Sequence, residues 1–217
     1  MILVPVKNMD GSKQRLSPVL SPAQRHLLAK AMLQDVLDAL AKCSRRHEVT
    51  VVSGDPVAQH LAKSYGFGII ADALNPGETG AIEMATAYCR QRGAKYTLVM
   101  PGDIPLVQHD EIDAIFAAAP PEGTVLVPSA SGRGTNAALR RPADLFPLRF
   151  GNDSFLPHLA AARATAKPVE VLRFPGIGLD VDEPVDLPDL VAAPGDTHAQ
   201  QLLRQWPVVM EQISAHA

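Results

Sequence analysis

Cysteine is scarce in this chain. Cys43 and Cys89 are the only two in 217 residues, too few for a disulfide framework or a zinc site, so the expected compartment is a reducing cytoplasm. No apolar run approaches the length of a membrane span. The Ile2 to Val6 run is too short for a signal-peptide core and has no basic residue before it. Positive charge is not in excess either, and a net charge of -3 gives no electrostatic reason to expect a nucleic-acid partner. No repeat, linker or low-complexity segment divides the sequence. What is present is a balance of 47% hydrophobic and 20% charged residues, ordinary for a folded chain and wrong for long disorder. A chain of this length buries a full core, and residues 1–217 are expected to form one domain with a helical tail from about residue 196.

Turn formers and apolar periodicity set the order of elements. Ile2 to Val6 reads as a buried strand, followed by a polar loop, 7–16, that carries Lys7, Lys13 and Arg15. Ser21 then caps a helix with Pro22 at its first position, and Leu27, Leu28, Ala31, Met32, Val36, Leu37 and Leu40 give that helix an apolar face. Strands are expected at Val49–Val52 and Gly68–Ala71, with helices from Asp55-Pro56 to about Tyr65 and from about Gly80 to Arg92. A further strand, Tyr96 to Met100, stops at Pro101-Gly102. This βαβαβα alternation predicts an α/β fold whose parallel sheet has helices on both faces. Beyond it the pattern gives a helix over 110–119 and strands at Val125–Val127, Ala137–Leu139 and Val169–Leu172. A helix running to about Ala166, a strand over Gly178 to Asp182 and a helix over Pro184 to Val191 complete the reading.

Three carboxylates draw attention. Asp103 lies just past the carboxyl end of its strand, where ligands gather in open α/β sheets, although an aspartate there can also serve the turn itself. Asp180 and Asp182 are two apart, so an extended backbone points both to the same side. Brought together, the three would repel one another unless divalent cations neutralised them. Lys7, Lys13 and Arg15 after the first strand suggest an anion site, though their spacing is no Walker pattern. The glycines of the 72–80 loop would admit a flat or phosphorylated ligand close to the backbone.

Five segments, taken in order, resemble the CofC/FbiD family of guanylyltransferases, small relatives of the MobA-like nucleotidyltransferases. They are Pro5-Val6-Lys7 with Lys13, Arg15 and Leu16; Gly102 to Leu106; Gly134-Thr135-Asn136; Arg149 to Phe155; and Leu179 to Asp182. The resemblance implies a Rossmann-like three-layer α/β/α nucleotidyltransferase (GT-A/MobA-like) fold with a mainly parallel central sheet. It also implies transfer of GMP from GTP to 2-phospholactate, phosphoenolpyruvate or 3-phosphoglycerate, with release of pyrophosphate, in biosynthesis of the deazaflavin coenzyme F420. Asp103, Asp180 and Asp182 would then bind Mg²⁺, two ions roughly 4 Å apart. Lys7, Lys13 and Arg15 would neutralise the departing phosphates; Thr135, Gly151 and Ser154 would receive the phospho-acid; Asn75, Gly77, Thr79 and Gly80 would face the nucleotide.

At one place the chain departs from the family pattern. Gly77-Glu78-Thr79-Gly80-Ala81 stands where relatives usually read Gly-Leu-Asn-x-Ala, which bears on base recognition. The product would pass to a downstream deazaflavin transferase, and a homodimer is among the assemblies allowed. The competing readings are a MobA-like transferase with another nucleotide or acceptor, and a non-catalytic nucleotide-binding regulator. His158, one turn beyond Ser154, is expected as an exposed helical histidine, and Cys89 as a core thiol.

Overall fold

The computed structural model describes residues 1–72, 77–151, 153–206 and 211. Its centre is a sheet of strands β1 (Ile2–Pro5), β2 (Val49–Val52), β3 (Gly68–Ile70), β4 (Thr97–Val99), β5 (Gly123–Pro128), β6 (Thr135–Arg141) and β7 (Val169–Val171). Among the described residues the strand order is β3-β2-β1-β4-β6-β5-β7. Strands β3, β2, β1 and β4 are mutually parallel. Strand β6 runs antiparallel to both β4 and β5, while β7 joins β5 in parallel. The sheet is therefore mixed but mostly parallel, as the resemblance implies; the antiparallel β6 departs from the parallel sheet that the alternation predicts. Chain order reverses between β1 and β4, and the carboxyl ends of those neighbours open the crevice where α/β folds bind ligands.

The helices are α1 (Pro22–Lys42), α2 (Pro56–Ser64), α3 (Glu78–Gln91), α4 (His109–Ala118), α5 (Phe155–Ala164), α6 (Pro175–Gly178), α7 (Asp186–Ala192) and α8 (His198–Arg204). Alternate side chains of each strand point to opposite faces, and two cores result. Ile2, Val4, Val51 and Leu98 pack with Leu37, Leu40, Leu61 and Ile112 of α1, α2 and α4. Leu3, Val99, Leu126 and Ala138 pack with Ile82, Ala85 and Cys89 of α3 and Phe155 and Ala162 of α5. The outer side of α1, through Leu28 and Met32, meets Leu187, Leu190, Ala199 and Leu203 of α7 and α8. Each large buried side chain contributes on the order of 1.5–3 kcal/mol, so α1 is anchored on two sides.

Caps place the site loops. Ser21 Oγ accepts from Gln24 N at 3.3 Å while Gln24 Oε1 accepts from Ser21 N at 2.9 Å, a capping box with Pro22 behind it. Asp55 caps α2 by accepting from Val57 N at 2.8 Å and Ala58 N at 3.0 Å. Its second oxygen accepts from Met9 N at 2.8 Å, tying the loop after β1 to α2.

Two expectations are corrected. Residues 178–182 are not a strand: Pro175–Gly178 is a helical turn and 179–182 is extended chain outside the sheet. Glu111 holds the turn by accepting from Gly176 N at 2.8 Å and Ile177 N at 3.1 Å, and Gly176 permits that approach, since a Cβ there would collide with the Leu106 carbonyl and the Glu111 carboxylate. The apolar stripe read for α1 is also too wide at one position, since Leu27 is exposed. The tail is helical over His198–Arg204; 207–210 and 212–217 fall outside the described residues.

Candidate active site

At the carboxyl end of β4, Met100 is buried and Gly102 lies close to Leu33 of α1, leaving Asp103 at the sheet edge just before the buried Ile104. The acidic segment docks on it through its backbone: Val181 N donates to the Asp103 carbonyl at 3.1 Å. Val181 itself is fully buried against α1, α7 and α8, so Asp180 and Asp182 on either side of it turn away from that core and toward the site. Asp186 fixes the next step by accepting from Asp182 N at 2.8 Å and Glu183 N at 2.7 Å.

Lys13 ties these segments together. Its Nζ lies 2.6 Å from Asp103 Oδ2 and 2.6 Å from Asp182 Oδ1, and its side chain is 8% exposed. Burial alone would favour losing the proton, but the two carboxylates outweigh it and keep the ammonium charged. Lys13 adopts a left-handed backbone, φ 53° and ψ 41°, at a cost of about 1 kcal/mol that the two ion pairs offset. Burial raises the pKa of Asp182, yet the Lys13 charge and hydrogen bond overcome it and hold the carboxyl below its usual range. Asp180 goes the other way: burial pushes it up, and the charges of Asp103 and Asp182 add to the shift. Asn136 Nδ2 donates to Asp180 Oδ1 at 3.0 Å, and also to the carbonyls of Ile177 at 2.9 Å and Gly178 at 3.3 Å. The site thus sets Asp103 and Asp182 against one buried ammonium, with Asp180 close enough to feel their charge.

A cleft of about 360 Å³ opens beside them, lined by Lys7, Lys13, Asp72, Gly77, Ala81, Asp103 and Asp182 among others. It joins the loop after β1 to the start of α3. Arg15 turns to the rim, where its Nη1 lies 3.6 Å from Glu183 Oε1. Asn75 lies outside the described residues. Thr79 Oγ1 accepts from Phe150 N at 3.1 Å, so the loop at the start of α3 is bonded to the segment leading into α5.

On the other side of Asn136, Thr135 and Ser154 converge. Strand β6 carries an irregularity opposite Val127 and Pro128, the mark of a bulge that resets side-chain alternation. Asn136 consequently faces Ile177 and Asp180, while Thr135 faces α5. Thr135 N donates to Ser154 Oγ at 3.1 Å, and Phe155 N donates to the Arg133 carbonyl at 2.9 Å. Gly151 has φ 151°, with no atom near the place a Cβ would occupy, so its backbone is approachable.

His158 is buried, at 1% exposure, contrary to the surface position expected of it. Phe155, His158, Leu159 and Ala162 share the inward face of α5, and Leu156 takes the exposed one. The spacing i, i+3, i+4, i+7 carries that signal in the sequence. His158 Nε2 accepts from Arg149 N at 2.8 Å, and Nδ1 lies 2.9 Å from Thr135 Oγ1. Burial, with a contribution from the Arg140 charge, lowers its pKa to about 4. Asn136 and Asp186 likewise received no role from the sequence; Asn136 adjoins Thr135 in a quoted segment, and nothing local marks Asp186.

Another acidic group sits elsewhere. Asp35, Asp38 and His198 are, among the described residues, the group of three ligating side chains with atoms within 4.8 Å of one another. Their polar atoms are engaged: Asp35 accepts from His198 N at 2.7 Å and Ala199 N at 3.0 Å, and Asp38 accepts from Tyr65 Oη at 2.6 Å and pairs with His198 Nε2 at 3.0 Å. This group clamps α8 onto α1.

Carboxylates and a lysine thus stand at the β1–β4 switch point of a mostly parallel α/β sheet. A solved structure described as a nucleotide-diphospho-sugar transferase from Desulfovibrio desulfuricans superposes with a TM-score of 0.79 at 20% identity, over 98% of this chain and 96% of that one, a likeness of fold. The chain belongs to the family described as guanylyl transferase, CofC-like, whose profile matches residues 1–215. It is 35% identical over 189 residues to the phosphoenolpyruvate guanylyltransferase of Sphaerobacter thermophilus, covering 87% of this chain and 90% of the relative. It is also 35% identical over 203 residues to the 2-phospho-L-lactate guanylyltransferase of Methanothermobacter thermautotrophicus, covering 94% and 89%. No helix of the described residues is long and apolar enough to cross a membrane.

Proposed function

We propose that this guanylyltransferase moves GMP from GTP to phosphoenolpyruvate, 2-phospho-L-lactate or 3-phospho-D-glycerate, releasing pyrophosphate, in the cytoplasmic biosynthesis of coenzyme F420. The carrying observation is the meeting of Lys13 with Asp103 and Asp182 at the switch point, beside a cation-lined cleft. An oxygen of the acceptor phosphate forms the new bond to the α-phosphorus of GTP, and the bond from that phosphorus to the bridging oxygen breaks. The nucleophile is already an anion, so no general base is needed. Repulsion between two anions is the barrier to lower. Lys7 and Lys13 counter the charge growing on the pyrophosphate.

The donors are of the type a hard divalent cation takes: three carboxylates, the pKa of one of them raised by burial and its neighbours' charge, two of them paired with Lys13 in this structure. Asp103, Asp180 and Asp182 would hold Mg²⁺, which when bound supplies positive charge to the reacting phosphates. Thr135, Gly151 and Ser154 receive the acceptor. Gly77, Thr79 and Gly80 lie on the nucleotide side, where the Thr79 hydroxyl accepts from Phe150 N and keeps its own hydrogen to donate. The product is consumed by a deazaflavin transferase.

The test is kcat/KM for GTP, ATP, CTP and UTP with each acceptor, with and without Mg²⁺. Preference for GTP and dependence on Mg²⁺ are expected. Equal use of ATP, or undiminished turnover in a chelator, would overturn the respective assignment.

A further inference from the structure

The two bonds of His158 fix its tautomer. Arg149 N is a backbone donor, so Nε2 must accept from it and carries no proton. In the neutral ring the proton is therefore on Nδ1, and Nδ1 donates to Thr135 Oγ1 across 2.9 Å. The Thr135 hydroxyl, having accepted there, still has its own hydrogen to donate, and no protein group among the described residues takes that hydrogen. Ser154 Oγ is in the same state, since it accepts from Thr135 N. Each of the two hydroxyls thus keeps a hydrogen to donate, which suits the phosphate or carboxylate oxygens of an acceptor. Phe150 packs edge-on to the imidazole at 5.1 Å between ring centres and limits its rotation.

We infer that His158 is a positioning residue for acceptor binding, orienting the Thr135 hydroxyl as a donor through Nδ1–H while Nε2 anchors the Arg149 to Phe155 segment. The inference rests on the acceptor placement proposed above and adds a residue that does not touch the acceptor.

Two amide replacements separate the two bonds. In His158→Asn the amide nitrogen falls near the place of Nδ1 and keeps a donor toward Thr135. In His158→Gln the amide falls near the place of Nε2, and the donor toward Thr135 is lost. Steady-state constants are measured for GTP and for the acceptor turned over by the unsubstituted enzyme, with melting curves for folding. His158→Asn should stay within about threefold in acceptor KM, whereas His158→Gln and Thr135→Val should each raise it about tenfold, with KM for GTP within about twofold. The double variant Thr135→Val with His158→Gln should be no worse than Thr135→Val alone.

Equal losses in the two amide variants, multiplying losses in the double variant, or an equal rise in KM for GTP would overturn the inference. If Thr135→Val leaves acceptor KM unchanged, the acceptor placement itself is wrong. If Thr135→Val raises it and His158→Gln does not, the placement stands and the role of His158 falls. Nitrogen-15 NMR of the ring in the unsubstituted protein gives a check that needs no variant: a protonated Nδ1 and bare Nε2 are expected, and the opposite tautomer refutes the relay.

Discussion

Val181 donates its backbone N–H to the carbonyl of Asp103 at 3.1 Å, joining the acidic segment to the end of β4 by main chain as well as through the Lys13 bridge between Asp103 and Asp182. The backbone bond and the burial of Val181 hold the three aspartates in place without depending on the charge of their side chains.

Asp103→Asn, Asp180→Asn and Asp182→Asn should consequently stay folded and each lose on the order of a hundredfold or more in kcat, because the neutral amides keep the size but not the charge. Circular dichroism and initial rates on the same preparations check this. Near-normal turnover in any one of them would remove that residue from the site.

Lys13→Met should be inactive and also less stable, since it strands two carboxylates. Removing one partner of a fully buried pair costs about 3–5 kcal/mol; here both carboxylates keep solvent contact, 29% and 43% exposed, and a loss of roughly 1–3 kcal/mol is expected. Denaturant unfolding measures it. Lys13→Arg should not restore activity, because a planar guanidinium does not occupy the point between Asp103 and Asp182.

Asp186→Ala should lower kcat/KM about tenfold without touching any substrate, because it releases the N–H groups of Asp182 and Glu183 and lets the carboxylate of Asp182 drift. The same substitution should leave α7 folded, since Leu187 and Leu190 remain buried. Unchanged kinetics would show that Asp182 is held by Lys13 alone.

Much of this was legible beforehand. The strands, helices and order followed from turn residues and apolar spacing, and Val49–Val52 falls where expected. Asp103 was visible because a short apolar run ended at Pro101-Gly102. The strand expected over 178–182 failed because the acidic stretch alternates like a strand, while the bonds that dock this stretch, Glu111 to Gly176 N and Ile177 N and the Asp103 carbonyl to Val181 N, are tertiary. Asp186 was silent for a similar reason: a carboxylate that caps two backbone N–H groups looks like any acidic residue at a helix start. His158 was readable from the α5 stripe, where its spacing from Phe155 and Ala162 outweighs the usual polarity of the residue.

The buried imidazole makes stability depend on pH. In the unfolded chain His158 binds its proton near 6.5, whereas in the fold it does so only near 4, chiefly through burial and secondarily through the Arg140 charge. The unfolded chain therefore holds more protons between those values. Stability is fully present above about pH 6.5 and is lost as pH falls toward 4, by up to roughly 3 kcal/mol. Urea midpoints at about pH 7 and about pH 4.5 should separate in the unsubstituted protein and draw closer in His158→Gln. Identical separation in both would place the effect elsewhere.

The most direct measurement is the mass of the product formed when the purified protein is incubated with GTP, Mg²⁺ and each of phosphoenolpyruvate, 2-phospho-L-lactate and 3-phospho-D-glycerate, with pyrophosphate followed in parallel. A GMP adduct of at least one acceptor, formed in step with pyrophosphate and absent when the acceptor is omitted, is the predicted result. GTP bound without pyrophosphate release for any of the three would mean that the site binds nucleotide without transferring it, and guanylyl transfer would be the wrong reading of Lys13 and the three aspartates.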